Sequence, residues 1–148
     1  RDSITGDFPY YGATSIMDYV NDYIFDGEYL LIGEDGSVVH EDGSPYLQLI
    51  YGKTWVNNHA HVLSGVNGFD NNLLYWTLKT CNIANYVTGA VQLKLNQKNM
   101  NAIPIVIPNN DTLVRITSEL TPIMNYWELI HYENSLLSKS KNLLANLV

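Results

Sequence analysis

Asp26-Gly27-Glu28-Tyr29-Leu30-Leu31-Ile32-Gly33-Glu34-Asp35-Gly36, "DGEYLLIGEDG", decides the fold. The apolar run Tyr29 to Ile32 lies between two Asp-Gly turn dipeptides, which predicts a buried strand. A third such dipeptide, Asp42-Gly43, follows, and "EDGS" occurs at both 34 and 41. Two copies seven residues apart are better explained as two turns than as a repeat. Outward from this strand, Tyr46 to Tyr51, Gly52-Lys53 and Thr54 to Asn57 predict a hairpin, and Ala60 to Leu63 another short strand. The front half is therefore mainly β. Asn71 or Asn72 can cap a helix through Leu73 to Leu78, with the pattern broken by Thr88-Gly89.

The last forty residues change period. Alternate steps of three and four from Leu113 reach Ile116, Leu120, Ile123, Trp127, Ile130, Asn134, Leu137, Lys141, Leu144 and Val148, and nine of these eleven positions are apolar. That is the 3.5-residue period of a coiled-coil seam, in which Asn134 and Lys141 would set register and partner. The alternative is an amphipathic helix folded back on its own domain. Thr121-Pro122 implies that the long helix either begins there or is kinked there.

With 148 residues and 46% hydrophobic content, the chain can bury one core and carry an extension. A single cysteine, Cys81, forbids an internal disulfide and makes a reducing cytoplasm the expected setting. No apolar run of membrane-spanning length and no leader-like start is present, so no membrane partner is expected. Because the first residue is Arg1 rather than Met, a domain lacking its opening segment is expected.

Charge is distributed unevenly within a formal net of -7. Residues 1–44 hold ten acids against Arg1 alone, whereas residues 45–108 hold four lysines against Asp70. Such asymmetry can give an acidic protein one locally positive face, although lysines scattered over unrelated surfaces would give the same counts. The stretch 92–101, "QLKLNQKNMN", has two lysines, five side-chain amides and no acid. Asn96 is placed to cap a short helix through Gln97 to Met100, after which Ala102 to Ile107 is expected to form a strand stopped by Pro108. Asn96, Asn99 and Asn101 are accordingly scaffold before they are contacts.

Catalytic patterns are sparse. His59-Ala60-His61 would put two imidazoles on one face of a strand, a spacing that zinc sites use, but no third ligand lies in the segment. The acids at 34, 35, 41 and 42 lack calcium-loop spacing, and turn chemistry explains them. There is no phosphate-cradling glycine loop or nucleophile elbow.

Five segments taken together resemble a known family: "FPYYGAT" (8–14), "YIFDGEYLLIGEDGS" (23–37), "WVNNHAHVL" (55–63), "LKLNQKNMNAIPIVIP" (93–108) and the terminal heptad helix. In this order they look like the specificity subunit of Type I restriction-modification enzymes. The acidic front block and Pro122 depart from that likeness. The resemblance implies an α+β fold: a mixed α/β target recognition domain over residues 1–108 and a long coiled-coil helix over 109–148 as spacer and dimerisation arm. It also implies a protein without catalysis of its own that reads double-stranded DNA for a methyltransferase subunit and a nuclease subunit. No cofactor of its own is expected, since S-adenosylmethionine and ATP would be bound by those partners.

The resemblance nominates Tyr10, Tyr11, Thr14, Lys53, Asn57, Asn58, His59, Gln92, Lys94 and Lys98 as DNA-binding residues, the lysines for phosphates and the amides for base edges. Trp127, Ile130, Asn134, Leu137 and Leu144 are expected to pair with a second spacer helix or a second copy of the chain. Two alternatives stand beside this function: the recognition domain of a single-chain methyltransferase-endonuclease, and a metal-dependent enzyme using His59 and His61.

Overall fold

The computed structural model describes residues 6–145 and is α+β. By contact density the chain forms two compact units, Arg1–Ile107 and Pro108–Val148. In the first unit, strand β4 (Tyr29–Gly33) is the centre of an antiparallel three-stranded sheet between β5 (Leu47–Ile50) and β7 (Ala60–Leu63). Leu31 faces Gln48 on one side and Val62 on the other. A second sheet has the order β2 (Ile16–Val20), β1 (Phe8–Tyr11), β6 (Lys53–Val56) and β3 (Phe25–Asp26), with β1 and β6 parallel.

The apolar run of β4 is explained by burial on both faces, because Leu30, Leu31 and Ile32 are all wholly shielded from solvent. Side chains alternate across a strand. Leu30 and Ile32 enter a cluster with Val38, Leu78, Ile83 and Leu95, while Leu31 enters another with Ile50, Val56 and Ala60. The second cluster also receives Tyr11 and Phe25 from the four-stranded sheet, so it is the apolar layer between the sheets. Helix α1 (Asn71–Lys79) contributes Leu78 to the first cluster and covers the other face of the three-stranded sheet.

Three local expectations are corrected. The segments on either side of Gly52 do not form a hairpin: β5 pairs with β4, whereas β6 pairs with β1 and β3. Gly52, at φ +68, turns the chain from one sheet to the other, so that Ile50 and Val56 reach the same cluster from different sheets. The cap of α1 is Asp70 rather than Asn71 or Asn72; its carboxylate accepts from the Leu73 N–H at 2.8 Å. Asn71 is occupied elsewhere, accepting from Gly65 N–H and donating to the Glu28 carbonyl. No strand forms over 102–107, where Pro104 lacks the N–H that a ladder needs and only Ile103 is buried.

Other local signals hold. Helix α2 (Gln97–Met100) is capped by the Asn96 side chain, which accepts from the Asn99 N–H. At the turn before Ser44, Gly43 has φ +86, and a Cβ there would lie 2.4 Å from the Asn82 side chain. The neighbouring Asp42 carboxylate accepts from the Ser44 hydroxyl and N–H, which hold its pKa below the ordinary value.

The second unit contains helix α3 (Asn110–Ala145), 36 residues long. It begins at Asn110, not at Pro122, with the Asn109 side chain accepting from the Thr112 N–H. Pro122 lies inside it and cannot donate to the Ser118 carbonyl; one residue earlier, the Thr121 hydroxyl donates to the Thr117 carbonyl at 2.7 Å. The seam residues Ile123, Ile130, Leu137 and Leu144 are exposed on this helix. Val148 lies outside the described residues.

Leu31→Ala should cost about 2–5 kcal/mol through lost burial and a cavity between the sheets. Val91→Ala, at a fully exposed position, should stay within about 0.5 kcal/mol. Denaturant midpoints of the two variants against the wild type check this, and equal midpoints would refute the placement of Leu31.

Candidate nucleic-acid interface

Four loops of the first unit meet at one end of the sheets, and backbone bonds join them. Asn57 N–H donates to the Tyr11 carbonyl at 3.0 Å, tying the β6–β7 loop to the end of β1. Glu34 N–H donates to the His59 carbonyl at 2.8 Å, and Gly36 N–H to the Leu93 carbonyl at 3.0 Å. The Leu95 N–H returns to the Glu34 carbonyl at 2.7 Å. The β1–β2 loop closes the group: Gln48 Nε2 donates to the Gly12 carbonyl, and a Cβ on Gly33 would lie 3.2 Å from the Ala13 carbonyl. Backbone atoms this densely paired make a rigid platform for side chains.

This platform brings together six of the residues nominated from sequence: Thr14, Asn57, Asn58, His59, Gln92 and Lys94. Thr14, Asn58, His59, Gln92 and Lys94 are exposed. Gln92 sits on a finger closed by reciprocal backbone bonds between Thr88 and Lys94, at 2.9 and 2.7 Å. Asn57 is half-buried, its Oδ1 accepting from the His59 N–H at 2.9 Å and its Nδ2 approaching the sulfur of exposed Met17.

The remaining four stand apart from the platform or point into protein. Tyr11 packs into the layer between the sheets, and burial, with Tyr19 adding, raises its phenol pKa. Tyr10 is half-buried between Asp18 of β2 and Trp55 of β6. Lys53 begins β6, the end of that strand opposite Asn57, and its ammonium lies 4.6 Å from the Tyr23 ring centre and 5.9 Å from that of Phe8. Lys98 is exposed on α2. Among the amides of that region, Asn96 caps the helix and Asn99 Nδ2 donates to the Tyr86 carbonyl, both scaffold roles.

Local electrostatics differ from the counts along the chain. Lys94 Nζ is 3.2 Å from Glu34, and His59 Nδ1 is 2.6 Å from Asp35. Acids of the front block thus compensate basic groups of the middle block, and the four nominated loops carry mixed charge. Turn chemistry accounts for Asp42 but not for Glu34 and Asp35, whose partners are 24 or more residues away and leave no local pattern.

Each of the two histidines is engaged by protein partners. His61 bonds the Leu95 carbonyl through Nε2 at 2.7 Å, with Nδ1 3.7 Å from Glu34. Among the described residues no group of three His, Cys, Asp or Glu is placed to hold a metal ion. Among them too, no helix is long and apolar enough to cross a membrane.

Comparison with known proteins gives a consistent picture. The profile of the Type I restriction modification DNA specificity domain matches residues 2–138. A type I restriction enzyme specificity subunit of Haemophilus influenzae is 40% identical over 123 residues, covering 81% of this chain and 31% of that protein. The type I restriction enzyme EcoprrI specificity subunit of Escherichia coli is 25% identical over 113 residues, covering 76% of this chain and 27% of its own length. The chain thus spans about a third or less of the curated relatives it matches. A profile match over nearly the whole described chain, together with the Haemophilus relative, places it: the chain belongs to the Type I restriction-modification DNA specificity domain family.

Proposed function

We propose that this chain is one target recognition unit and its spacer helix from a restriction-modification specificity subunit, without catalysis of its own. It reads one part of a bipartite double-stranded DNA sequence in the cytoplasm, on behalf of a methyltransferase subunit that binds S-adenosylmethionine and a nuclease subunit that uses ATP. The observation that carries the reading is the four-loop platform: exposed amide, hydroxyl and imidazole groups on paired backbone suit base edges, whose donors and acceptors demand fixed geometry. A net-acidic protein can do this, because Lys53 and Lys98 outside the platform can take phosphates while Lys94 on the platform offsets Glu34.

In the complete subunit assembled with its methyltransferase, Asn58→Ala or Gln92→Ala should relax one position of the methylated motif, the loss of about 1–3 kcal/mol of discrimination. Methylation mapping of the host genome reads this directly. Motifs unchanged in both variants would move the base contacts off these two loops.

Lys53→Ala and Lys98→Ala should each weaken binding equally on all sequences and lower the salt slope by about one unit or less. Lys94→Ala should weaken it more, since Glu34 then faces the phosphates without its partner. Titrations of the assembled complex at several salt concentrations measure both quantities, and three unaltered slopes would exclude these lysines.

The stripe through Trp127, Ile130, Asn134, Leu137 and Leu144 pairs with an equivalent helix, the second spacer of a complete subunit or that of another copy. Changing Ile130 and Leu137 together to aspartate should leave the recognition domain folded and abolish association, because two unpaired carboxylates would have to be desolvated. Sedimentation of this chain tests it: a strict monomer at high concentration, with α3 protected from hydrogen exchange, would mean that the stripe is covered within one molecule.

A further inference from the structure

Among the described residues, His59 is held at every polar atom except ring Nε2. Its N–H donates to Asn57 Oδ1 at 2.9 Å, its carbonyl accepts from the Glu34 N–H at 2.8 Å, and its ring Nδ1 lies 2.6 Å from Asp35 Oδ1. An ionised carboxylate only accepts hydrogen bonds, so the proton between these atoms is on Nδ1. In the neutral imidazole the lone pair is then on Nε2. The ring is 46% exposed while Asp35 is 18% exposed, so the carboxylate is set back and the imidazole stands forward. Asp35 is itself fixed: the Gly36 N–H is bonded to Leu93, and Asp35 bridges to Lys94. His61, two residues on, shows the contrast, with its Nε2 directed to the Leu95 carbonyl and only 13% exposed.

We infer that Asp35 is a positioning residue that fixes the tautomer of His59, so that Nε2 is presented as a hydrogen-bond acceptor to the exocyclic amino group of adenine or cytosine in the major groove. The inference rests on the DNA-reading function proposed above and adds the chemical class of base that this side chain selects. In the major groove, adenine N6 and cytosine N4 offer a donor where guanine O6 and thymine O4 offer only acceptors. A bare Nε2 therefore accepts from the first pair and opposes its lone pair to the second. The rigid hold on His59 makes that distinction sharp, because the ring cannot turn to offer Nδ1–H without leaving Asp35.

The test uses the complete specificity subunit with its methyltransferase, mapping the methylated motif for the wild type and four variants. His59→Ala and Asp35→Ala should each lower discrimination at the same single base pair by roughly 5- to 150-fold, the range for one good base-edge contact. The double variant should be no worse there than His59→Ala, since Asp35 acts only through the ring. Asp35→Asn can offer Nδ1 either an oxygen or an N–H, so both tautomers are supported. It should widen the accepted bases at that position to include guanine or thymine, with overall methylation retained. A motif unchanged in the three single variants overturns the assignment of His59, and so does relaxation at several positions at once, which would mark a loop-folding role. A double variant clearly worse than His59→Ala at that base pair overturns the role of Asp35. A wild-type complex that modifies no discrete motif overturns the proposed function itself, and the inference with it.

Discussion

The protein is organised by the burial of one strand on both of its faces. A strand with an apolar side chain at every position cannot lie at a surface, and β4 answers this by taking a neighbour on each edge and a cluster on each face. Leu30, Leu31 and Ile32 stabilise the fold by about 1.5–3 kcal/mol each relative to exposure. Their second effect is positional. Gly33, Glu34 and Asp35 leave this rigid centre directly, and the platform forms around them: Glu34 ties to His59 and Leu95, and Asp35 to His59 and Lys94. The most buried part of the chain is covalently continuous with the four-loop platform.

Sequence reached the elements whose causes are local. The strand at 29–32, the Asp-Gly turns and the cap at Asn96 all follow from neighbouring residues, and all are present. Two of the errors share one origin, the choice of partner, whereas the missing strand over 102–107 has a local cause in Pro104. Whether β5 lies against β6 or β4 depends on which cluster receives Ile50 and Val56, and no periodicity within residues 46–57 encodes that. The cap of α1 shows the same limit at short range, since three capping residues in a row were available and a bond from Asn71 to distant Glu28 left the task to Asp70. In the candidate site, the exposed residues were legible as polar side chains on turns. The acids that orient them were not, because Asp35 and His59 are 24 residues apart and meet only after β4 and β7 have paired.

The acidic front block, an apparent obstacle to a nucleic-acid partner, changes meaning once its members are placed. Glu34 pairs with the Lys94 ammonium and Asp35 accepts from the His59 ring, so part of the negative charge is engaged inside the platform. Such pairs contribute little to stability when exposed. They restrict geometry instead, and they limit nonspecific attraction to phosphate, which depends on uncompensated cations.

Pro122 gives helix α3 a mechanical property that its length alone would not. At about 1.5 Å per residue the helix is roughly 54 Å long, and the part beyond the proline spans roughly 35 Å. A bend of about 20° at the proline, the size at which helix kinks become sharp, would swing the far tip through roughly 12 Å. The missing hydrogen bond to Ser118 is thus placed where a small angular compliance is multiplied by a long lever arm, moving the far tip sideways by about 12 Å while the end-to-end span shortens by only about 1 Å.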